Sequence, residues 1–202
     1  MIRNIVFDLG NVLISFRPAE YLSGNGYSPE NKELILSDVF GSREWLLLDD
    51  GKITKTEAID GIAMNSSLKR DEIARIFNER LKIFHSLDNN AKILPGLKKQ
   101  GFKLYYISNF PGDIFDDVKN DYDFFRYFDG GIISAEAGCS KPGNEIFKIF
   151  LDRYSLVPEE CLFIDDTGPN VKTAESFGMK GFFTSGSTDI SEEVKIKLLQ
   201  NY

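Results

Sequence analysis

Short apolar runs alternate along most of the chain with segments in which apolar residues recur at helical spacing. The runs are rich in β-branched and aromatic residues, which favours strands that are buried on both faces. They lie at residues 5–7, 103–107, 131–134, 162–164 and 181–184. Helical spacing or helix-start signals occupy residues 95–100, 113–119, 146–151, 170–177 and 191–199. Because parallel neighbouring strands need crossover connections, this order predicts an α/β fold with a doubly wound parallel sheet.

Residues 15–90 have a different pattern, with repeated helix signals and no buried strand run. Ser28 stands before Pro29 as an N-cap before a proline in the first turn, and Thr54 with Glu57 forms a capping box. A longer apolar periodicity predicts a helix over residues 68–84. We therefore predict a helical subdomain, residues 15–90, inserted into an α/β core of residues 1–14 and 91–202.

Polar side chains stand where the predicted strands end. They are Asp8 after the first strand, Ser108 and Asn109 after the second, Lys141 in the loop after the third, and Asp165 with Asp166 after the fourth. Taken singly, each has an ordinary role as a turn residue, a helix cap or a surface charge. In a parallel sheet, however, the carboxyl ends of the strands share one edge, where ligands bind. We therefore expect these side chains to form one site.

The composition of this site indicates phosphate chemistry. Three converging carboxylates would repel one another unless a cation neutralised them, and oxygen ligands select a hard cation such as Mg²⁺. A metal ion, a lysine and a hydroxyl-amide pair suit the equatorial oxygens of a phosphoryl group. An Asp is ionised at neutral pH without a base, so one carboxylate can attack phosphorus and form an aspartyl-phosphate.

Composition and charge exclude several other classes of function. The chain has 202 residues, 42% of them hydrophobic, and a formal charge of −7, which argues against binding to nucleic acid or to an anionic membrane. It contains no apolar run near the roughly 20 residues of a membrane span and begins with a strand pattern instead of a signal segment, so we expect a cytoplasmic protein. Cys139 and Cys161 are expected to be free thiols, and His85 to lie at a helix end or on the surface. A single histidine without a GxSxG motif leaves no basis for a Ser-His-Asp hydrolase.

The four polar segments resemble the four motifs of the haloacid dehalogenase superfamily of phosphotransferases and hydrolases. The resemblance covers nearly the whole chain and identifies Asp8 as the nucleophile, Ser108 as the second-motif hydroxyl and Lys141 as the third-motif lysine. It implies that Mg²⁺ is held by Asp8, the carbonyl of Gly10 and the acidic pair, with Asp166 as the direct ligand and Asp165 acting through water. Residues 15–90 correspond to the inserted cap of that family. The phosphate-binding residues that it implies are Gly10, Asn11, Ser108, Asn109 and Lys141.

Gly10 is a departure from the pattern of this superfamily. Most of its phosphatases have an Asp there, which protonates the leaving oxygen and then activates water, a contribution of about 10² to 10⁴-fold. The motifs are similar to those of a subgroup that includes bacterial α-D-glucose-1-phosphate phosphatases, in which glycine is tolerated. Asn11 is a candidate for orienting water. The cap segment at residues 44–54 also resembles that subgroup, so Trp45 either faces the site or is a core residue.

Three functions are compatible with the sequence. The first is a Mg²⁺-dependent phosphatase for a small phosphorylated metabolite such as a sugar phosphate, with an aspartyl-phosphate intermediate. The second is a hydrolytic 2-haloacid dehalogenase, which needs no metal; Asp165 beside Asp166 argues against it, because uncompensated buried carboxylates are costly. The third is a degenerate member that binds a ligand or partner without turnover, as the glycine at position 10 would allow. The sequence indicates neither the substrate nor the oligomeric state.

Overall fold

A computed structural model of the protein describes residues 1–185 and 189–199. Within these residues the strands are β1 (Asn4–Phe7), β2 (Ile14–Phe16), β3 (Phe84–Ser86), β4 (Lys103–Ser108), β5 (Gly130–Ile133), β6 (Cys161–Asp165) and β7 (Lys180–Phe183). Five of them form a parallel sheet in the order β5-β4-β1-β6-β7. The predicted doubly wound α/β fold is confirmed, and the ends of the five predicted strands differ from the observed ends by at most one residue.

Helices connect these strands and cover the sheet. They are α1 (Pro18–Gly24), α2 (Pro29–Ile35), α3 (Arg43–Asp49), α4 (Lys55–Asn65), α5 (Arg70–Glu79), α6 (Asp88–Ala91), α7 (Leu94–Lys99), α8 (Gly112–Asp121), α9 (Ser134–Ala137), α10 (Asn144–Tyr154), α11 (Gly168–Ser176) and α12 (Ser191–Leu199). A π-helical turn follows α2 at Leu36–Phe40, and 3₁₀ turns lie at Arg80–Ile83, Asp123–Tyr127 and Pro158–Glu160. None of the helices in the described ranges is long and apolar enough to cross a membrane.

The predicted helix caps are present. The Ser28 hydroxyl accepts from the backbone N–H of Asn31 at 3.3 Å, which satisfies a donor at the start of α2. At α4, Thr54 accepts from the Glu57 N–H at 3.3 Å, and the Glu57 carboxylate accepts from the Thr54 N–H at 2.7 Å. These two bonds are the capping box, and they fix where α4 begins.

Two hydrophobic clusters lie on opposite faces of the parallel sheet, because successive side chains of a strand point to opposite sides. Ile5 and Phe7 of β1 belong to one cluster, and Val6 between them belongs to the other. All three are completely buried, as expected for the central strand of a sheet with helices on both faces. A free thiol in that second cluster, Cys161, is buried, and the other free thiol is Cys139.

The segment between β1 and β4 contains a third, separate hydrophobic cluster, built around Trp45, Ile59 and Phe77. Helices α1 to α5 contribute side chains to this cluster. The division of the chain into a core and an inserted helical cap of residues 15–90, which we call the cap, stays a prediction.

We expected an all-helical segment from the sequence, and this prediction is wrong. Strands β2 and β3 pair antiparallel where the chain enters and leaves the cap, with Phe16 opposite Phe84. The predicted helix over 68–84 is also wrong beyond Glu79, because a 3₁₀ turn follows and keeps the i, i+3 spacing that the apolar pattern shows. His85 therefore lies in a strand, not at a helix end, and it is exposed as expected.

Candidate active site

The predicted site residues meet at the carboxyl edge of the sheet. Asp8 directly follows β1, the central strand, and its N–H donates to the carbonyl of Ile164 in β6 at 2.8 Å. Ser108 ends β4 on one side of β1, and Asp165 ends β6 on the other. The parallel register thus brings together residues that are more than 150 positions apart in the sequence.

Lys141 lies between two carboxylates. Its Nζ is 2.8 Å from Oδ1 of Asp8 and 2.7 Å from Oδ2 of Asp165, and all three side chains are at most 10% exposed. Burial by itself lowers the pKa of Lys141, but the charges of Asp8 and Asp165 raise that pKa above its ordinary value. The lysine is therefore held as a cation at the centre of the site.

Asp165 is the most completely bonded of the acids. Besides Lys141, it accepts from the backbone N–H of Thr167 at 2.8 Å and from the side-chain amide of Asn170 at 3.0 Å on each oxygen. We did not predict a role for Asn170 from the sequence, because it stands in the first turn of α11 and looks like any polar helix residue. These donors satisfy both carboxylate oxygens of Asp165, which has no exposed surface.

The donor set fits a hard divalent cation. One oxygen each of Asp8, Asp165 and Asp166 can be chosen so that all lie within 4.8 Å of one another. With the single charge of Lys141, these three carboxylates leave the site with a net charge of −2, which a divalent ion would balance. Because the oxygens of Asp165 are already bonded, Asp166, which is partly exposed and lines the adjacent cavity, is the more available ligand.

Asp8 has one oriented and one open carboxylate oxygen. Its Oδ1 accepts from the N–H of Leu9 at 2.7 Å and from Lys141, whereas Oδ2 lies on the side of Gly10. Burial raises the pKa of Asp8 to about 6, with the charge of Lys141 opposing the shift and Asp165 adding to it. A bound cation would stabilise the carboxylate form that a nucleophile requires.

Asn109 supports the lysine instead of pointing freely into the site. Its Nδ2 donates to the carbonyl of Lys141 and its Oδ1 accepts from the N–H of Lys141, both at 2.9 Å. Ser108, almost fully buried, directly precedes it. A nearby hydroxyl that we did not predict, Ser134, accepts from the N–H of Phe110 at 2.9 Å and so fixes the loop after β4. The catalytic and phosphate-binding roles assigned to Ser108 and Asn109 stay predictions.

The loop after Asp8 turns sharply at Asn11, which has a left-handed φ of 53°. Asn tolerates this conformation better than most residues, and its Oδ1 accepts from the N–H of Phe16 at 3.3 Å. The roles assigned to Gly10 and Asn11 in phosphate and metal binding stay predictions, but both residues line a cavity beside Asp8.

This cavity has a volume of about 190 Å³ and lies between the core and the cap. It is lined by Asp8, Gly10, Asn11, Phe16, Trp45, Asp49, Phe84, Asn109, Phe110, Pro111, Asp166 and Thr167. Trp45 is both a core residue and a residue at the site. It is 7% exposed within the hydrophobic cluster of the cap, and it also borders the cavity. Asp49, at the end of α3, is the acidic residue that the cap contributes to the lining, and its position in the sequence is that of an ordinary helix end.

Comparisons with known proteins agree with this architecture. The profile of haloacid dehalogenase-like hydrolases matches residues 2–178. A sesquiterpene phosphatase of Aspergillus oryzae is 25% identical over 193 residues, covering 94% of this chain and 93% of that protein. The D-ribitol-5-phosphate phosphatase of Bacteroides thetaiotaomicron is 23% identical over 208 residues, with 98% and 99% covered.

Solved structures give the same result. A HAD-family enzyme of Bacteroides thetaiotaomicron, crystallised with magnesium and inorganic phosphate, is 25% identical with a TM-score of 0.73, and the match covers 96% of this chain and 99% of that one. The fold and the matches define the class of protein as a hydrolase. The chain belongs to the haloacid dehalogenase-like hydrolase family, as its four motifs indicate.

Proposed function

We propose that the protein is a Mg²⁺-dependent phosphatase that hydrolyses a small phosphorylated metabolite through an aspartyl-phosphate. The observation that carries the proposal is the position of Lys141, buried between Asp8 and Asp165 with an acidic pair beside it. A site with this charge balance suits a divalent ion together with a phosphoryl group. Both curated relatives described above are phosphatases, which supports the reaction without choosing the substrate.

In the proposed reaction an oxygen of Asp8 attacks phosphorus, and the bond from phosphorus to the ester oxygen breaks. Water then attacks the same phosphorus and returns Asp8 to its carboxylate form. Lys141 keeps its positive charge beside the nucleophile and faces the negative charge that develops on the phosphoryl oxygens. Asn109 holds the backbone of Lys141 in place.

A Mg²⁺ ion fits the oxygens of Asp8, Asp166 and, through water, Asp165. When bound, it would supply positive charge to the phosphoryl oxygens. A hydrolytic dehalogenase remains the alternative, but such an enzyme would leave the three carboxylates with only Lys141 to balance them. The net charge of the buried site therefore favours the phosphatase.

The aromatic lining of the cavity bears on the substrate. Phe16, Trp45, Phe84 and Phe110 face the space next to Asp8, so the part of the ester beyond the phosphate would contact ring faces. A sugar phosphate stays a prediction, and the cavity is equally suited to an aromatic or terpenoid phosphate.

The test is a panel of sugar, polyol, nucleotide, isoprenoid and aryl phosphates, assayed for phosphate release with and without Mg²⁺. We expect turnover of at least one ester, its loss on chelation, and its loss in Asp8→Asn by about 10⁴-fold or more. Turnover that survives both chelation and Asp8→Asn would contradict the proposal. Halide release from a 2-haloacid without metal would favour the dehalogenase instead.

A further inference from the structure

Most phosphatases that share these four motifs have an acid-base residue at position 10. This chain has none there to serve the proposed reaction. A leaving alkoxide needs a proton, and the water that attacks the aspartyl-phosphate needs a proton acceptor. Gly10 has no side chain for either task. The backbone does not require glycine here, because its φ is not left-handed and a Cβ would meet only Oδ2 of Asp8, at 3.9 Å. The missing carboxylate is thus a chemical difference and not a steric necessity.

Asp49 lines the same cavity as Asp8. It is the last residue of α3 in the cap, whereas Asp8, Gly10 and Asp166 belong to the core. In an in-line displacement the leaving oxygen departs on the side of phosphorus away from the nucleophile. An ester bound on Asp8 would therefore direct its leaving oxygen toward the cap, where Asp49 lies.

The end of α3 is held against the core. The Ser134 hydroxyl donates to the backbone carbonyl of Asp49, and the Ser140 hydroxyl donates to the carboxylate of Asp50. Gly51 follows with a left-handed φ of 65°, and a Cβ there would clash with the carbonyl oxygen of Ala135. Three adjacent residues of the chain thus contact the core. These contacts fix the position of Asp49 at the border of the cavity.

The environment of Asp49 favours a carboxyl group that can hold a proton. Its Oδ1 is buried and has no hydrogen-bond partner. Burial raises the pKa of Asp49 to about 7, a shift that Arg80 and the Trp45 side chain oppose and that Asp50 and Asp113 reinforce. A group with this pKa can both donate and accept a proton near neutral pH.

We propose that Asp49 is the general acid and base of this phosphatase, supplied by the cap in place of the carboxylate that is absent at position 10. The inference rests on the proposed function. As Asp8 attacks phosphorus, the electron pair of the breaking bond goes to the ester oxygen, which takes the proton of Asp49 and leaves as an alcohol. The Asp49 carboxylate then takes a proton from the attacking water, while the pair of the bond between phosphorus and Asp8 returns to Asp8. Inorganic phosphate and protonated Asp49 result.

Two phosphate esters of similar size show whether Asp49 acts as a general acid or only as a structural carboxylate. Benzyl phosphate releases a strongly basic alkoxide, which needs a proton, whereas 4-nitrophenyl phosphate releases a stable phenolate. In Asp49→Asn we expect kcat/KM for benzyl phosphate to fall about 10² to 10⁴-fold and that for 4-nitrophenyl phosphate to fall less than about tenfold. The slower second step should make the variant release a burst of nitrophenolate. Glu44→Gln, on the same helix but packed against Gly61 of α4, is the matched control and should match the wild type.

A rescue and a pH profile complete the test. Position 10 has room for a side chain. The double variant Gly10→Asp, Asp49→Asn should therefore have a kcat/KM for benzyl phosphate at least about tenfold higher than that of Asp49→Asn alone. The wild type should lose kcat/KM for that ester as the pH rises through about 7, and Asp49→Asn should lack this limb. Equal losses for both esters, without rescue, would overturn the inference and leave Asp49 as a structural counter-ion of Arg80. Turnover in Asp8→Asn would instead overturn the proposed function itself, so the two failures are distinct.

Discussion

The molecule contains two groups of buried charge, and they are bonded very differently. In the core, Lys141 contacts two carboxylates, and both oxygens of Asp165 accept several hydrogen bonds. In the cap, Arg80 is 1% exposed and donates to Asp113 through Nη2, but its Nε and Nη1 are unpaired. Asp49 has the unpaired oxygen Oδ1. Three of the four buried side-chain atoms without a partner in the described part of the chain belong to Arg80 and Asp49.

This difference separates two uses of buried charge. A fully bonded group has one stable arrangement, which suits a nucleophile and a metal site that must be positioned before the substrate arrives. An incompletely bonded group has a higher energy in the absence of a ligand, and it can gain hydrogen bonds or change its protonation when one binds. The core site is therefore expected to depend on its bonds for stability, and the cap residues to contribute more to the reaction than to folding.

Lys141→Met is the variant with the largest expected effect on stability. It leaves Asp8 and Asp165 without their cation, and breaking a buried pair costs about 3–5 kcal/mol. Urea unfolding at pH 8 without metal should show this loss, and Mg²⁺ should recover more stability in the variant than in the wild type. Turnover should fall by at least about 10²-fold, since a donor to the phosphoryl oxygens is removed. A variant as stable as the wild type without metal would contradict the assignment of Lys141 as the charge that holds the site together.

Asn109→Ala should have the next largest effect, through the position of Lys141. The two hydrogen bonds from the side chain of Asn109 to the backbone of Lys141 are lost, which costs about 1–3 kcal/mol. Displacement of the lysine should lower kcat by about 10 to 10²-fold. Asn109→Asp is the matched control, because it keeps the acceptor for the Lys141 N–H and loses only the donor. If Asn109 binds phosphate alone, KM should rise in both variants and stability should not change.

Arg80→Met tests the other side of the comparison. The variant loses the ion pair with Asp113 and the contact with the ring of Phe77, but it also removes two unpaired buried N–H groups. We expect a loss of about 1–2 kcal/mol in unfolding free energy, which is smaller than the loss in Lys141→Met. Asp113→Asn, which leaves the guanidinium buried without its partner, should be the more destabilising of the two. A loss in Arg80→Met as large as in Lys141→Met would remove the distinction between the two groups.

The core part of this site was predictable from sequence because its information is local. Each of Asp8, Ser108 and Asp165 follows an apolar run, and the rule that parallel strands share a carboxyl edge brings the ends together. The strands themselves were recognised from runs of β-branched and aromatic residues, and their parallel arrangement followed from the crossover rule, whereas the order of the strands in the sheet was not predicted.

The cap part was not predictable, because it depends on contacts between distant segments. Asp49 resembles a residue at the end of a helix before a turn, and its place over the cavity comes from a hydrogen bond to Ser134, 85 positions away. Arg80 looks like a surface arginine in an amphipathic series, yet the chain leaves the helix at that point and buries it. Only the packing of α3 and of the 3₁₀ turn against the core shows that Asp49 lines the cavity and that Arg80 is buried.

The smallest expected effect is a gain of stability in Asp49→Asn that depends on pH. The pKa of Asp49 is raised from 3.8 to about 7 by burial, so the folded state holds this proton more tightly than the unfolded chain does. Stability contributed by that proton is present below about pH 4 and is lost as the pH rises to about 7, so the penalty for ionised Asp49 is complete at pH 8. The melting temperature of Asp49→Asn minus that of the wild type should therefore be about 2–4 °C more positive at pH 8 than at pH 4, which corresponds to about 1 kcal/mol.

Each protein serves as its own control across the two pH values, because an effect of packing alone would be the same at both. A variant that is less stable than the wild type at pH 8, by a margin greater than at pH 4, would mean that ionised Asp49 pairs favourably with Arg80, and the contrast between the core and cap charges would not hold.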